Sequence, residues 1–154
     1  MKKPFINRRT LMVTGLATAA GIGIAGYVTR DQFDGRALSP VAALERMNRG
    51  DITLIDIRRP EEWAATGIAD GAVALDMRRA DFVAALTQIL EGDIDRPIAI
   101  ICARGVRSDR MSARLSAAGF TTVIDIPEGM MGSSAGPGWL KRGLPVQAKP
   151  IEAN

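Results

Sequence analysis

The sequence predicts an α/β fold, with a mainly parallel central sheet and helices on both faces. Three observations carry this. Short apolar runs recur at residues 53–57, 72–77, 97–101 and 121–126, bounded by turn residues. Helical patterns lie between and before them. The whole chain is 154 residues, room for one domain with one hydrophobic core.

The first thirty residues separate from the rest. Lys2, Lys3, Arg8 and Arg9 give a positive start, residues 11–28 form a mildly apolar stretch, and no acid occurs before Asp31. This is the layout of an export leader. The Arg8-Arg9 pair, within Asn7-Arg8-Arg9-Thr10-Leu11-Met12, marks the twin-arginine type. The expected partner is the twin-arginine export machinery and the expected destination the periplasm. An uncleaved N-terminal anchor is the alternative: no small-x-small site follows Val28, although the 18 residues 11–28 are at the short end for spanning a bilayer. Gly21-Ile22-Gly23-Ile24-Ala25-Gly26 matches a dinucleotide fingerprint, but it has neither the preceding strand nor the following helix that the motif needs, so no cofactor is assigned.

The leader also accounts for the basic balance. It holds five of the 20 Lys+Arg and none of the 17 Asp+Glu, leaving residues 31–154 with a formal charge of −2. With no interleaved basic and aromatic patch, nucleic acid is excluded as a partner.

Residues 31–38 read as a polar linker, 39–147 as the folded domain and 148–154 as a C-terminal tail. Ser39-Pro40 opens a helix, with serine as N-cap and proline in the first turn. Val41, Leu44 and Met47 give its apolar stripe and Gly50 its end. Residues 53–57 form a strand. Pro60-Glu61-Glu62-Trp63 reads as a one-turn helix, with acids near its N-terminus. Asp70-Gly71 signals a turn before the strand at 72–77. Phe82, Leu86, Ile89 and Leu90 place a helix over 81–90. The strand at 97–101 is apolar throughout, as a strand buried on both faces should be. A helix over 108–118 presents Met111, Leu115 and Ala118 on one face and stops at Gly119. Residues 121–126 are a β-branched strand, 129–138 a glycine- and serine-rich loop, and 139–146 a closing segment.

The chemistry gathers at Cys102, the only cysteine. It stands at the carboxyl end of the strand at 97–101, ahead of Ala103-Arg104-Gly105-Val106-Arg107-Ser108 and a helix. Backbone N–H groups, a helix N-terminus and cations favour a thiolate there. Ligands of open α/β sheets also bind at strand carboxyl ends. A lone cysteine in an exported protein signals a reactive thiol or an intermolecular bridge, set against a small buried hydrophobe. Arg104, Gly105 and Arg107 beside it point to a reactive thiol aimed at a small anion. The chain has no histidine, which removes imidazole bases, Cys-His proteases and histidine zinc sites; no metal or other cofactor is implied.

Four pieces of the chain resemble a single-domain rhodanese, over roughly residues 39–147. Leu54-Ile55-Asp56-Ile57-Arg58 looks like the family's aspartate-x-arginine strand end. Pro60-Glu61-Glu62-Trp63 resembles its glutamate-aromatic turn, and Gly67-Ile68-Ala69-Asp70-Gly71-Ala72 its glycine-histidine-isoleucine-proline-glycine-alanine segment, here without the histidine. Cys102-Ala103-Arg104-Gly105-Val106-Arg107-Ser108 matches the active-site loop cysteine-x-x-glycine-x-arginine-serine. Such families often carry a double glycine closely followed by tryptophan. Here Glu128-Gly129 precedes Trp139 by ten positions, so residues 130–137 are expected to cover the cysteine differently.

The resemblance implies a rhodanese-like fold and sulfane-sulfur transfer through a Cys102 persulfide. The donor would be a small anion such as thiosulfate, and the acceptor a thiophile such as cyanide or a thiol. A redox or sulfur-pathway protein is a further candidate partner. Ala103, Gly105 and Val106 would shape the substrate loop, and Gly105 permits a backbone conformation closed to other residues. Arg104 would face the donor's oxyanion. Arg107 either binds anion or braces the loop. Ser108 reads as a cap or brace, and Asp56 with Arg58 as a supporting ion pair. Trp63 and Trp139 read as packing residues, and Met130 and Met131 as pocket lining or filler. Two other readings compete. A related phosphatase or arsenate reductase would place five residues between cysteine and arginine, where this chain has four. A non-enzymatic module binding sulfur species or a partner protein is the other.

Overall fold

The computed structural model describes residues 36–148 and 151–152. The leader, the glycine pattern at 21–26 and most of the linker lie outside them. A six-stranded parallel sheet organises the chain. Its strands are β1 (Arg36–Ala37), β2 (Thr53–Asp56), β4 (Val73–Ala74), β5 (Ile98–Ile101), β6 (Val123–Asp125) and β8 (Ile151–Glu152), in the spatial order β1-β6-β5-β2-β4-β8. A separate antiparallel pair joins β3 (Ile68–Ala69) to β7 (Val146–Gln147).

Side-chain alternation divides the core between two faces. Leu54, Ala99, Ile101 and Ile124 point to one face. There they meet Ala43, Leu44 and Met47 of α1 (Pro40–Asn48), Trp63 of α2 (Pro60–Thr66), and Trp139 and Leu140 of α5 (Gly138–Lys141). Ile55, Ile98, Ile100 and Val123 point to the other. There they meet Phe82, Ala85 and Leu86 of α3 (Phe82–Ile89), and Met111 and Leu115 of α4 (Val106–Ala117). Both faces are therefore dry, and β5, with every residue buried, has no polar side.

Most elements lie where the pattern puts them. The Ser39 hydroxyl caps α1 by accepting from the Ala42 amide at 3.3 Å. Four differences matter. Linker residues Arg36 and Ala37 pair with Ile124 and Asp125, adding an edge strand. Tail residues Ile151 and Glu152 pair with β4 at the opposite edge. These pairings rest on backbone groups, which leave no mark on side-chain periodicity. Helix α2 runs on to Thr66 rather than stopping after one turn. Helix α4 starts at Val106, two residues earlier than its apolar face suggests, because its first turn faces the cysteine loop instead of the core.

Candidate active site

Cys102 follows β5 directly and is 1% exposed. Ala103, Arg104 and Gly105 carry the chain to α4, with Gly105 at the N-cap and Arg107 in the first turn. Gly105 has φ +83°, and a Cβ there would run into the Pro127 carbonyl. Only glycine satisfies both conditions. Gly129 mirrors it from the neighbouring loop: at φ +65° it lies so close that a Cβ would stand 2.5 Å from the Ala103 carbonyl oxygen. The amides of Met130 and Met131 donate to the Cys102 and Ala103 carbonyls, each at 2.8 Å. The cysteine loop and the 129–131 segment thus share a backbone seam.

Of its two expected roles, Arg107 is placed in the bracing one. Its Nη1 and Nη2 donate to Glu62 Oε2 and Oε1 at 2.7 and 2.6 Å, a two-pronged ion pair across the site. Glu62 raises the guanidinium above its ordinary pKa, against the opposing effect of burial, and the nearby Cys102 sulfur adds to the rise. In return, Arg107's hydrogen bonds hold the Glu62 carboxyl down at about 2, against the opposing effect of burial. Arg107 is thus a brace whose remaining charge faces the thiol.

A buried pair stands behind Glu62. Arg58 Nη2 donates to Asp56 Oδ2 at 2.7 Å, and its Nε to both Asp56 oxygens at 3.0 Å. The same guanidinium donates to Thr66 Oγ1 at 2.8 Å and the Gly67 carbonyl at 2.7 Å. Asp56 and Arg58 therefore fasten the C-terminal end of α2, and α2 carries Glu62. They support the cysteine loop at one remove, and neither reaches the thiol.

Ser108 is fully buried and sits in the first turn of α4 rather than at its cap. Its hydroxyl donates to the Gly105 carbonyl at 2.9 Å, tying the loop to the helix. It also faces Asp125 at the end of β6. Burial pushes that carboxyl up to about 6, the Ser108 hydrogen bond opposes the rise, and Asp109 adds to it. Asp125 Oδ1 has no hydrogen-bond partner among the described residues.

Arg104 is exposed and enters no ion pair among the described residues. Two openings meet at it. One, of about 210 Å³, is lined by Arg104, Val106, Asp109, Arg110, Asp125 and the 133–135 turn. The other, of about 450 Å³ and more open, lies between Arg104, Met131 and Lys141. Cys102 lines neither, so the sulfur sits beneath its loop with the openings beside it.

The segment at 130–138 is a built wall. Ser133 Oγ donates to the Pro127 carbonyl at 2.7 Å and accepts from the Ala135 amide at 3.1 Å. Glu128 accepts from the Gly138 amide at 3.0 Å and twice from Arg142 at 2.8 Å. Met130 is fully buried in the core and Met131 is half exposed at the opening. Trp139 packs in the core with its indole N–H on the Pro145 carbonyl at 2.9 Å, and Trp63 packs opposite, so both tryptophans fill space.

The cysteine loop, its glycine and its arginine now have a common frame, and comparison with known proteins places it. The model of the Rhodanese-like domain matches residues 39–135. The chain is a member of the rhodanese family. Among curated relatives, the thiosulfate sulfurtransferase GlpE of Pseudomonas entomophila is 35% identical over 95 residues, spanning 61% of this chain and 80% of that protein. Its counterpart in Pseudomonas putida is 33% identical over 95 residues, with the same coverage. Among solved structures, a polysulfide-sulfur transferase homodimer from Wolinella succinogenes superposes with a TM-score of 0.56 at 28% identity, over 75% of this chain and 80% of that one. A thiosulfate sulfurtransferase from Pseudomonas aeruginosa shares the fold, with a TM-score of 0.62 at 17% identity, over 77% of this chain and 21% of its own.

The sequence places Cys102, Arg104, Gly105 and Arg107 of this rhodanese domain on one loop, and the structure sets three further groups around it, Glu62, Asp125 and Lys141. Glu62 reads as an acid near a helix start and as part of a glutamate-aromatic turn, and nothing local marks it as the partner of Arg107. Asp125 carried a usable signal: a carboxylate inside an apolar strand run is costly unless it has a purpose. Lys141 carried none.

Proposed function

We propose that this protein moves sulfane sulfur from a small anionic donor such as thiosulfate to a thiophilic acceptor such as cyanide or a thiol, with Cys102 as carrier. The observation that supports this best is the single thiol at the strand–loop–helix junction, with the charged guanidinium of Arg107 against its sulfur. The Cys102 thiolate attacks the terminal sulfur of the donor. The donor's sulfur–sulfur bond breaks, and sulfite departs with the electron pair. The acceptor then attacks the outer sulfur of the Cys102 persulfide, and Cys102 leaves as thiolate. Sulfur moves without net oxidation, and no cofactor enters. The loop amides and the start of α4 stabilise the negative sulfur in each state, since both present N–H groups to an anion.

Four residues separate Cys102 from Arg107, which favours this reading over the related phosphatases, whose wider loop cradles a tetrahedral anion. The test is mass spectrometry after thiosulfate treatment. We expect a gain of one sulfur that cyanide removes and that Cys102→Ser never acquires. A Cys102→Ser variant that still turns over thiosulfate and cyanide overturns the reading, and a wild-type protein that never loads sulfur supports a silent binding module instead.

We further infer export to the periplasm by the twin-arginine route, from Arg8-Arg9 ahead of a weakly apolar stretch. Replacing both with lysine should strand the protein in the cytoplasm. Normal delivery of that variant would instead point to general secretion.

A further inference from the structure

We propose that the pocket over Asp125 is a binding site for a small zwitterion whose ammonium and anionic group are separated by a short carbon chain. The site is separate from Cys102 and does not rest on the sulfur-transfer reading.

The pocket holds a carboxylate that the protein leaves short of donors. Asp125 ends β6, is 6% exposed, and lines the opening of about 210 Å³. Its Oδ1 has no hydrogen-bond partner among the described residues. The two donors beside the carboxylate also serve other acceptors. The Ser108 hydroxyl donates to the Gly105 carbonyl at 2.9 Å, and the Ile126 amide to the Ile100 carbonyl at 3.0 Å. A buried carboxylate oxygen without a donor is costly. The other buried carboxylates among the described residues are satisfied, Asp56 by Arg58 and Glu128 by Arg142 and the Gly138 amide. Asp125 is the one left facing a cavity.

The group that this oxygen lacks is an N–H cation. Asp109, in the first turn of α4, adds negative charge beside Asp125, so a positive group is favoured there over a neutral donor. An ammonium satisfies the oxygen with a charge-assisted bond. No three histidine, cysteine or acidic side chains gather to hold a metal ion among the described residues, which favours an organic cation.

The mouth of the pocket has the opposite sign. Arg104 and Arg110 line it, both are exposed, and neither enters an ion pair among the described residues. Negative charge lies deep and positive charge outside, which complements a molecule with an ammonium at one end and an anion at the other. Val106 and Pro127 supply apolar wall for the carbons between. The Ser133 hydroxyl, donating to the Pro127 carbonyl at 2.7 Å, fixes that wall in advance, so little ordering is required on binding. The volume falls below the roughly 300–1,000 Å³ of drug-sized sites and limits the occupant to a few carbons.

The experiment is isothermal titration calorimetry with γ-aminobutyrate as probe, beside butyrate and butylamine, which each lack one charged end. We expect γ-aminobutyrate to bind roughly 10-fold more tightly than either, the scale of one charge-assisted contact. Asp125→Asn should reduce it to the level of butyrate, and Arg110→Gln should bring it toward that of butylamine. Cys102→Ser should leave it unchanged. A wild-type protein that does not bind the probe at millimolar concentration, equal affinity for all three compounds, or undiminished binding in Asp125→Asn overturns the assignment. Sulfur loading at Cys102 is measured separately, so this inference and the sulfur-transfer reading fail independently.

Discussion

Glu62 and Arg107 stand 45 residues apart in sequence and meet through two hydrogen bonds of 2.6 and 2.7 Å. The pair joins α2 to the first turn of α4 and turns the guanidinium toward Cys102. Its two members act on the sulfur with opposite sign. Arg107→Ala removes a cation beside the Cys102 sulfur, so the rate of its alkylation by iodoacetamide at a fixed pH should fall. Glu62→Gln removes an anion from the same surroundings, so that rate should rise. Turnover should nevertheless fall roughly 10-fold in Glu62→Gln, because the guanidinium loses its fixed position, a rise of about 1.4 kcal/mol in the barrier. Parallel shifts in the two variants would show that Glu62 acts only as a structural peg.

The Asp56–Arg58 pair predicts a stability effect. Both side chains are fully buried; Arg58 donates three side-chain hydrogen bonds to Asp56, and Asp56 so orients it for two more, to the Thr66 hydroxyl and the Gly67 carbonyl. Asp56→Ala leaves a guanidinium uncompensated in the core and should cost about 3–5 kcal/mol in urea unfolding. Changing both residues to apolar side chains should recover much of that. Sulfur transfer should fall even in the refolded double variant, because α2 then loses the bonds to Thr66 and Gly67 that seat Glu62.

Arg104 predicts a split in kinetics. It is exposed on the cysteine loop and has no ion pair among the described residues, so Arg104→Ala should raise the KM for thiosulfate by roughly 10- to 100-fold, with a smaller effect on turnover of bound donor. Donor kinetics against a persulfide donor lacking the sulfonate check this, since that donor should be much less affected.

Asp125 predicts a pH dependence of stability. In the fold it holds its proton up to about pH 6, while the unfolded chain releases it near 3.8. The folded state therefore binds more protons between those values, and stability falls as pH rises through that window. Asp125→Asn should flatten this slope and stabilise the protein above it by roughly 3 kcal/mol at most. Urea unfolding on both sides of the window measures it. An Asn variant that keeps the slope would assign the titration to another group.

The fold and the cysteine loop were legible because both are local. Residues 98–101 are apolar throughout since they face helices on both sides, and the loop's glycine and arginines follow within a few positions. The edge strands at Arg36 and Ile151 were not legible, since they are held by backbone pairing alone. Nor was the partner of Arg107: the choice among Glu61, Glu62 and other acids depends on how α2 sits over α4. Arg58 shows the intermediate case, where the pairing with Asp56 follows from their spacing at a strand end but the grip on Thr66 and Gly67 does not.

The backbone seam between Cys102 and Met130 has a consequence for dynamics. Amide hydrogens in a glycine-rich surface segment ordinarily exchange with solvent quickly. Those of Met130 and Met131 are committed to the carbonyls of Cys102 and Ala103, so they are released only when the sulfur-bearing loop parts from its neighbour. Deuterium uptake at these two methionines is thus a clock for opening of the thiol site, and it runs without any reagent touching the cysteine.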